Sequence, residues 1–269
     1  MPELPEVETI RRDLEEALQG DRSLSVEVFD RRLMSPAEAK RWNQHLRDQT
    51  WDRFVRKGKY LWIELANGWR MEFHLRMTGQ LIVSTDLRTT RPRLLIRFAS
   101  GRRLGFYDQR RFGEAWLLGP GEGSHSKSAL GPDALTELQR DQFVDLVKRR
   151  TTRIQPLLMD QTALAGVGNI YAQEALFKAA IRPNRPGYRL TKVEASLLYN
   201  VLKETLQTAI TYRGSSSRNY RDAKGESGSA QTLHAVYRKG GEPCPRCHRA
   251  LISARVGGRG TVFCSTCQK

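Results

Sequence analysis

The chain holds four cysteines, Cys244, Cys247, Cys264 and Cys267, all within its last 26 residues. Their spacing is C-x2-C-x16-C-x2-C, in which each close pair offers two thiolates to one face of a metal ion. The sixteen residues between suit a β-hairpin that brings the pairs together. Four protein thiolates complete a tetrahedral shell and leave no position for a substrate, so the pattern points to one structural Zn2+. Two unrelated cysteine pairs are the alternative. Between the pairs, Arg255 and Arg259 stand beside "GG" and "GRG". A hairpin tip would expose them, and a stiffened hairpin presenting arginine is suited to gripping phosphate.

A second chemistry-bearing stretch opens the chain, "MPELPEVETI". Pro5, Glu6 and Glu8 fit a helix start, where a missing N–H costs nothing and acids complement the dipole. That reading leaves Pro2 and Glu3 unexplained. Once Met1 is removed, Pro2 carries a free secondary amine with an α-amino pKa of about 7.7–8.0, so a useful fraction is nucleophilic at neutral pH. Attack of such an amine on a sugar C1′ gives an iminium that acidifies the C2′ proton. Glu3 is placed for general acid–base work, with Glu6 one turn on in support.

Other residues fit the same chemistry. In "RKGKYLWIEL", Lys57 and Lys59 are expected at the start of one strand and on one face, although lysine pairs are commonly just solvated. "FHLRMTGQL" carries His74 and Met77; "YDQRRFGEAW" carries Arg110 and Phe112. Met77 and Phe112 are either core residues or wedges beside phosphate, and a phenylalanine between arginines and a glycine makes a poor core plug. "GVGNIYAQEALF" sets two glycines and Asn169 at a helix start, a weak anion-site signal.

These residues need a scaffold. With 45 Lys+Arg against 29 Asp+Glu, the net charge is +16 and the pI about 10.1, a field that favours polyanions, nucleic acid above all. There is no run of eighteen apolar residues, and the N-terminus is unlike a signal peptide. The expectation is a cytoplasmic, monomeric protein with no membrane partner. An amphipathic first helix closed by Gly20 precedes β-rich stretches at Val26–Phe29, Phe54–Leu65, Arg70–Val83, Leu94–Phe98, Arg103–Asp108 and Glu114–Leu118, with a helix at Pro36–Arg47. The fold class is α+β: an N-terminal β-sandwich or barrel with the first helix packed on it, then a helical domain ending in a β-hairpin zinc finger. Expected boundaries are 1–120 for the sandwich, 121–133 for a Gly/Ser/Pro linker, 134–231 for the helical domain and 232–269 for the finger. Helices are expected at Thr136–Arg149, Ile154–Leu164, Ile170–Ala180 and Thr191–Tyr212, and the polar stretch 214–231 reads as a mobile loop.

Taken in order, "PELPEVET", "GKYL", "HLRMTG", "RRFG", "GVGNIYAQEALF" and "CPRC…GGRGTVFCSTCQK" resemble the formamidopyrimidine-DNA glycosylases, from Pro2 to Lys269. The resemblance implies a bacterial base-excision repair enzyme with a helix–two-turn–helix domain and a zinc finger, working at the nucleoid. Its partner would be double-stranded DNA containing oxidised purines, chiefly 8-oxoguanine or formamidopyrimidines, or abasic sites. It would cleave the N-glycosidic bond and nick the strand by β,δ-elimination. By the same resemblance Pro2 is the Schiff-base nucleophile and Glu3 the proton donor for base release. Lys59 is the donor in β-elimination, and Arg259 serves δ-elimination and phosphate binding. Met77, Arg110 and Phe112 fill the void left by the flipped base, and Asn169 with Arg259 pinches a phosphate. His74, Arg91 and Arg150 fall at DNA contacts, and 214–231 is the loop that closes over the everted base. Two positions depart from the pattern. Gln109 stands where proline is frequent, and Gln155 where some members carry lysine, a lost cation near DNA that bears on affinity or lesion preference. The rival readings are a sister enzyme of the endonuclease VIII type, against which "PELPE" rather than "PEGPE" speaks, and an inactive nucleic-acid-binding zinc protein.

Overall fold

The structure, a computed structural model, describes residues 1–86, 90–125, 130–216 and 219–269. Positions 126–129 of the expected linker and 217–218 of the expected loop lie outside the described residues. The chain divides into two compact units: residues 1–127 with 212–229, and residues 128–211 with 230–269.

The first unit begins with α1 (Leu4–Leu18). Leu4, Val7, Ile10, Leu14 and Leu18 recur at helical spacing and are all buried, each worth about 1.5–3 kcal/mol of transfer free energy. Gly20 follows with φ +77°, the left-handed conformation that ends the helix run. Two four-stranded antiparallel sheets follow. One has the order β1 (Ser23–Val28), β6 (Leu94–Phe98), β7 (Arg103–Asp108), β5 (Gly79–Ser84). The other runs β2 (Trp51–Lys57), β3 (Tyr60–Leu65), β4 (Arg70–His74), β8 (Glu114–Leu118). Helix α2 (Pro36–Leu46) is capped by Ser35, whose hydroxyl accepts the Glu38 N–H. A single core joins α1 to both sheets through Trp42, Trp51, Phe54, Phe73 and Phe106.

Two expected continuous stretches are each broken. Phe54–Leu65 is a hairpin: Lys57 pairs with Tyr60 across Gly58-Lys59, and Gly58 has φ +57°. Lys57 and Lys59 therefore do not share a strand face. Lys57 ends β2, while Lys59 sits in the turn. Arg70–Val83 is likewise two strands, β4 and β5, which belong to different sheets. A run of apolar alternation cannot distinguish one long strand from two when the break is a glycine or a single positive-φ residue.

Residues 212–229 belong with the sandwich, not with the helical domain to which 214–231 was expected to attach. The cause is electrostatic. Arg213 donates to Asp13 on α1 at 2.7 Å and to Asp222 at 2.5 Å, and the Ala223 N–H also reaches Asp13. Burial raises the Asp13 carboxyl above its usual value, with Arg213 opposing that shift. Tyr220 and Ala223 complete the seating by joining the sandwich core.

The second unit holds α3 (Arg140–Lys148), α4 (Ile154–Met159), α5 (Asn169–Lys178), α6 (Lys192–Thr211) and the hairpin β9 (Ile252–Val256)–β10 (Arg259–Phe263). The hairpin turns on Gly257-Gly258, both at positive φ. A side chain at Gly257 would strike Pro156 of α4 at 2.5 Å, so that glycine permits close approach as well as the turn.

Arg213→Ala leaves Asp13 and Asp222, 4% and 0% exposed as side chains, facing each other without their cation. The expected outcome is a loss of about 1–3 kcal/mol in the seating of 212–229. Limited proteolysis reads it as faster cleavage within that segment, with the rest of the sandwich still protected.

Candidate active site and phosphate-binding residues

The start of α1 is polar yet buried. Glu3, Glu6 and Glu8 are 3%, 1% and 8% exposed, a costly arrangement unless each carboxylate is matched. Glu3 is the N-cap and forms a capping box with Glu6; the Glu6 carboxylate accepts the Glu3 N–H at 2.8 Å. Its other oxygen accepts the Ser215 N–H at 2.7 Å. Glu6 thus ties the catalytic candidate Glu3 to the seated 212–229 segment. Pro2 is buried against this turn, while Met1 is 46% exposed and open to removal.

Glu8 holds a charge network that sequence reasoning assigned only to helix capping. Arg11, Arg12 and Arg56 converge on it at 2.8–3.1 Å. Burial by itself would raise the Glu8 carboxyl, but hydrogen bonds from Arg11 and Arg12 and the charges of Arg11 and Arg56 hold it below the usual range. Arg56 donates at once to Glu8 and to the Gly58 carbonyl. That places the turn bearing Lys59 in a fixed relation to α1. Lys59 itself is 7% exposed. A cue for Arg56 existed, an arginine in a strand otherwise reading as half-buried, but only the fold shows its partner.

His74 pairs with Tyr60 across β3 and β4, its ring meeting the tyrosine edge-on at 4.5 Å. Burial, then the charges of Arg76 and Lys59, push its pKa down to about 3. The imidazole is therefore neutral at physiological pH. Its Nδ1 accepts the Arg76 N–H at 3.2 Å, so the proton lies on Nε2, which can donate to an anion.

Met77 and Phe112 are 42% and 55% exposed, so neither is a core residue. They sit on the β4–β5 and β7–β8 connections, and Arg110 lies over the Phe112 ring at 4.9 Å. Asp108 braces both turns. It accepts from Thr78 and from the Gly113 N–H, while Thr78 accepts the Arg110 N–H. Arg93, 5% exposed, joins Asp108 to Asp30 and to the Gly113 carbonyl. Exposed apolar tips on turns made rigid from beneath are fitted to enter a base stack. Alongside lies a cleft of about 670 Å3 with Arg91, Arg111 and Arg221 among its walls; exposed Arg91 stacks on Phe29 at 4.3 Å.

In the second unit Asn169 opens α5, and its amide donates to the Gly260 carbonyl at 3.0 Å. Arg259 is exposed beside it in sequence at the start of β10, and Arg255, opposite Gly260, is also exposed. Arg150 is exposed on the turn after α3 and is not linked to Asn169 or Arg259 by any hydrogen bond among the described residues.

The four cysteine sulfurs lie within 4.8 Å of one another. Cys244 and Cys267 stand 3.9 Å apart, Cys247 and Cys264 3.5 Å. A zinc tetrahedron with bonds of about 2.3 Å has sulfur–sulfur edges of roughly 3.8 Å, so the residues fit one structural zinc. Backbone N–H groups of Arg246 and Cys267 point at Cys244 and Cys264, the arrangement that stabilises thiolate ligands.

Residues 1–115 match the formamidopyrimidine-DNA glycosylase N-terminal domain, 130–221 the H2TH domain of that glycosylase, and 241–269 the zinc finger found in FPG and IleRS. A formamidopyrimidine-DNA glycosylase of Pelotomaculum thermopropionicum is 39% identical, with 100% of this chain and 99% of the relative covered. One of Herpetosiphon aurantiacus is 40% identical, with both chains fully covered. Among solved structures, the Lactococcus lactis Fpg (MutM) in complex with DNA containing N7-benzyl-Fapy-dG aligns over all of both chains with TM-score 0.90 and 35% identity. The Thermus thermophilus MutM (Fpg) protein aligns with TM-score 0.88 and 38% identity, covering 99% of this chain and 98% of that one.

The depressed pKa predicts that the His74 ring shows no NMR titration between pH 8 and 5. Because the unfolded chain takes up this proton near 6.5 and the folded chain does not, stability declines as pH falls from about 6.5 toward 3. A ring titrating near 6.5 in the folded protein would contradict the burial.

Cys244→Ser or Cys264→Ser is expected to release zinc and unfold the β9–β10 hairpin while the sandwich keeps its thermal transition. Metal analysis and calorimetry on the same sample check both halves.

Proposed function

The chain belongs to the formamidopyrimidine-DNA glycosylase family, and from that premise we propose that it removes oxidised purines, 8-oxoguanine and formamidopyrimidines, from duplex DNA and then nicks the strand at the abasic site. The observation that carries the reading is the first turn of α1. There Pro2 and Glu3 are adjacent and buried, with Glu6 fixing the Glu3 backbone. The capping box uses Glu3 as the N-cap, but it gives the buried Pro2 beside it no part in starting the helix. The Lactococcus lactis relatives were solved with Fapy-type and abasic-site DNA, which supports the same substrate class here.

After loss of Met1, the Pro2 nitrogen bonds to C1′ as the C1′–N bond breaks, and the departing base takes the electron pair and a proton from Glu3. The attacking nitrogen gives up its proton and O4′ takes one up as the sugar ring opens, which leaves an iminium on Pro2. Loss of the C2′ proton then expels the 3′ phosphate, with Lys59 as the donor on the leaving side. A further elimination through C4′ expels the 5′ phosphate, held by Arg259. Water hydrolyses the imine and returns the amine.

The rest of the surface serves delivery. The net charge of +16 attracts the duplex. Neutral His74 donates to a phosphate without titrating. Arg91, Arg150, Asn169 and Arg259 contact the backbone, and the zinc-stiffened hairpin presents the last of these. Flipping a nucleotide costs a few kcal/mol, which Met77, Arg110 and Phe112 offset by filling the vacated space.

Borohydride in the presence of an 8-oxoguanine duplex is expected to crosslink the wild-type chain, and a residue left ahead of Pro2 abolishes the crosslink. Glu3→Gln lowers base release about 10²–10⁴-fold and spares cleavage of a preformed abasic site. Trapping by the N-terminally extended protein at the normal rate would remove Pro2 from the mechanism. Preference for thymine glycol over 8-oxoguanine would place the chain with the pyrimidine-specific sister enzymes instead.

A further inference from the structure

Gln155, one of the two departures from the family pattern, is fully buried. A cation lost from a DNA-facing surface would leave an exposed position, so the structure asks for a different account. The Gln155 amide donates from Nε2 to Asn169 Oδ1 at 2.9 Å, and its Oε1 accepts the Thr261 hydroxyl at 2.9 Å. Asn169 Nδ2 in turn donates to the Gly260 carbonyl at 3.0 Å. Gly260 and Thr261 are neighbours in β10, so the three bonds close a ring through α4, α5 and the hairpin strand.

The direction of every bond in this ring is forced. The Gly260 carbonyl can only accept, so Asn169 must turn its nitrogen toward it and its oxygen toward Gln155. Gln155 must then present its nitrogen to Asn169 and its oxygen to Thr261, whose hydroxyl donates. The ring orients the Asn169 amide and holds it against the strand that begins at Arg259. Gln173 reinforces the seat by spanning the Gly260 carbonyl and the Val262 N–H.

We propose that Gln155 is a positioning residue that locks Asn169 and Arg259 into one phosphate clamp, acting through the ring and not by touching DNA. The proposal rests on the DNA-binding reading above. A lysine in place of Gln155 would keep the ring closed. A lysine ammonium can donate both to Asn169 Oδ1 and to Thr261 Oγ1. The Thr261 hydroxyl then turns to the Arg259 carbonyl, already 3.1 Å away. Leucine can make neither bond.

The test is a titration of a duplex containing an abasic-site analogue against Gln155→Leu, Thr261→Val, the double variant and Gln155→Lys, each at several salt concentrations and each checked for zinc content. Gln155→Leu is expected to weaken binding about 3–10-fold, in line with one lost hydrogen bond. The slope of log K against log salt becomes shallower by up to about one unit as a phosphate contact loosens. Thr261→Val does the same with zinc retained. The double variant loses no more than either single one, because a ring opened once cannot be opened again. Gln155→Lys keeps at least the wild-type slope. Additive losses, or a Gln155→Leu protein that binds with wild-type affinity and slope, would overturn the proposal. So would a loss of affinity at unchanged slope that tracks loss of zinc, which would make Gln155 a structural prop. Wild-type protein that fails to bind the duplex at all would instead sink the DNA-binding reading, and the clamp with it.

Discussion

Burying a helix start lined by three carboxylates, Glu3, Glu6 and Glu8, is the constraint around which the first unit is organised. Each acid needs donors, and the donors come from elements far apart in sequence. Glu6 takes backbone N–H groups from Glu3 and Ser215, and Glu8 takes arginines from its own helix and from β2. Matching these charges draws the 212–229 segment and the β2–β3 turn onto α1. A polar helix start without those partners would face a desolvation penalty of several kcal/mol per unmatched carboxylate. The site is thus assembled by the requirement that nothing ionic be left alone in the interior.

The same logic, with neutral groups in place of charges, governs the second unit. The Gln173 amide satisfies the backbone of β10, the Gln155 amide takes the Thr261 hydroxyl, and the hairpin tip approaches α4 closely because Gly257 has no side chain to strike Pro156. Zinc closes the far end of the hairpin. One end is held by coordination and the other by hydrogen bonds, so an exposed arginine is presented on a frame that has little freedom to yield. Rigidity of that kind converts charge into position.

The first unit carries its candidate wedges and Lys59 on turns, not on regular strands. Met77, Phe112 and Lys59 all occupy connections whose backbones are fixed from below, by Asp108 in two cases and by Arg56 in the third. Turns permit exposure of an apolar tip, and buried polar anchors supply the stiffness that a turn lacks by itself.

Much of this was legible in the amino-acid order. Cysteine spacing determines the metal site because a tetrahedral ion accepts few spacings, and helical periodicity determines α1 and its buried face. The adjacency of Pro2 and Glu3 is local chemistry and can be read directly. Tertiary structure decided what depends on distant partners. It split two apparent strands, moved 212–229 to the sandwich through Arg213, and made Glu8 and Arg56 a brace for Lys59. It also turned Gln155 from a missing surface charge into a buried link. In each case the residue type was visible in sequence, but burial and pairing set its role, and those arise only when separate chain segments meet, 48 residues apart for Glu8 and Arg56 and 200 for Asp13 and Arg213.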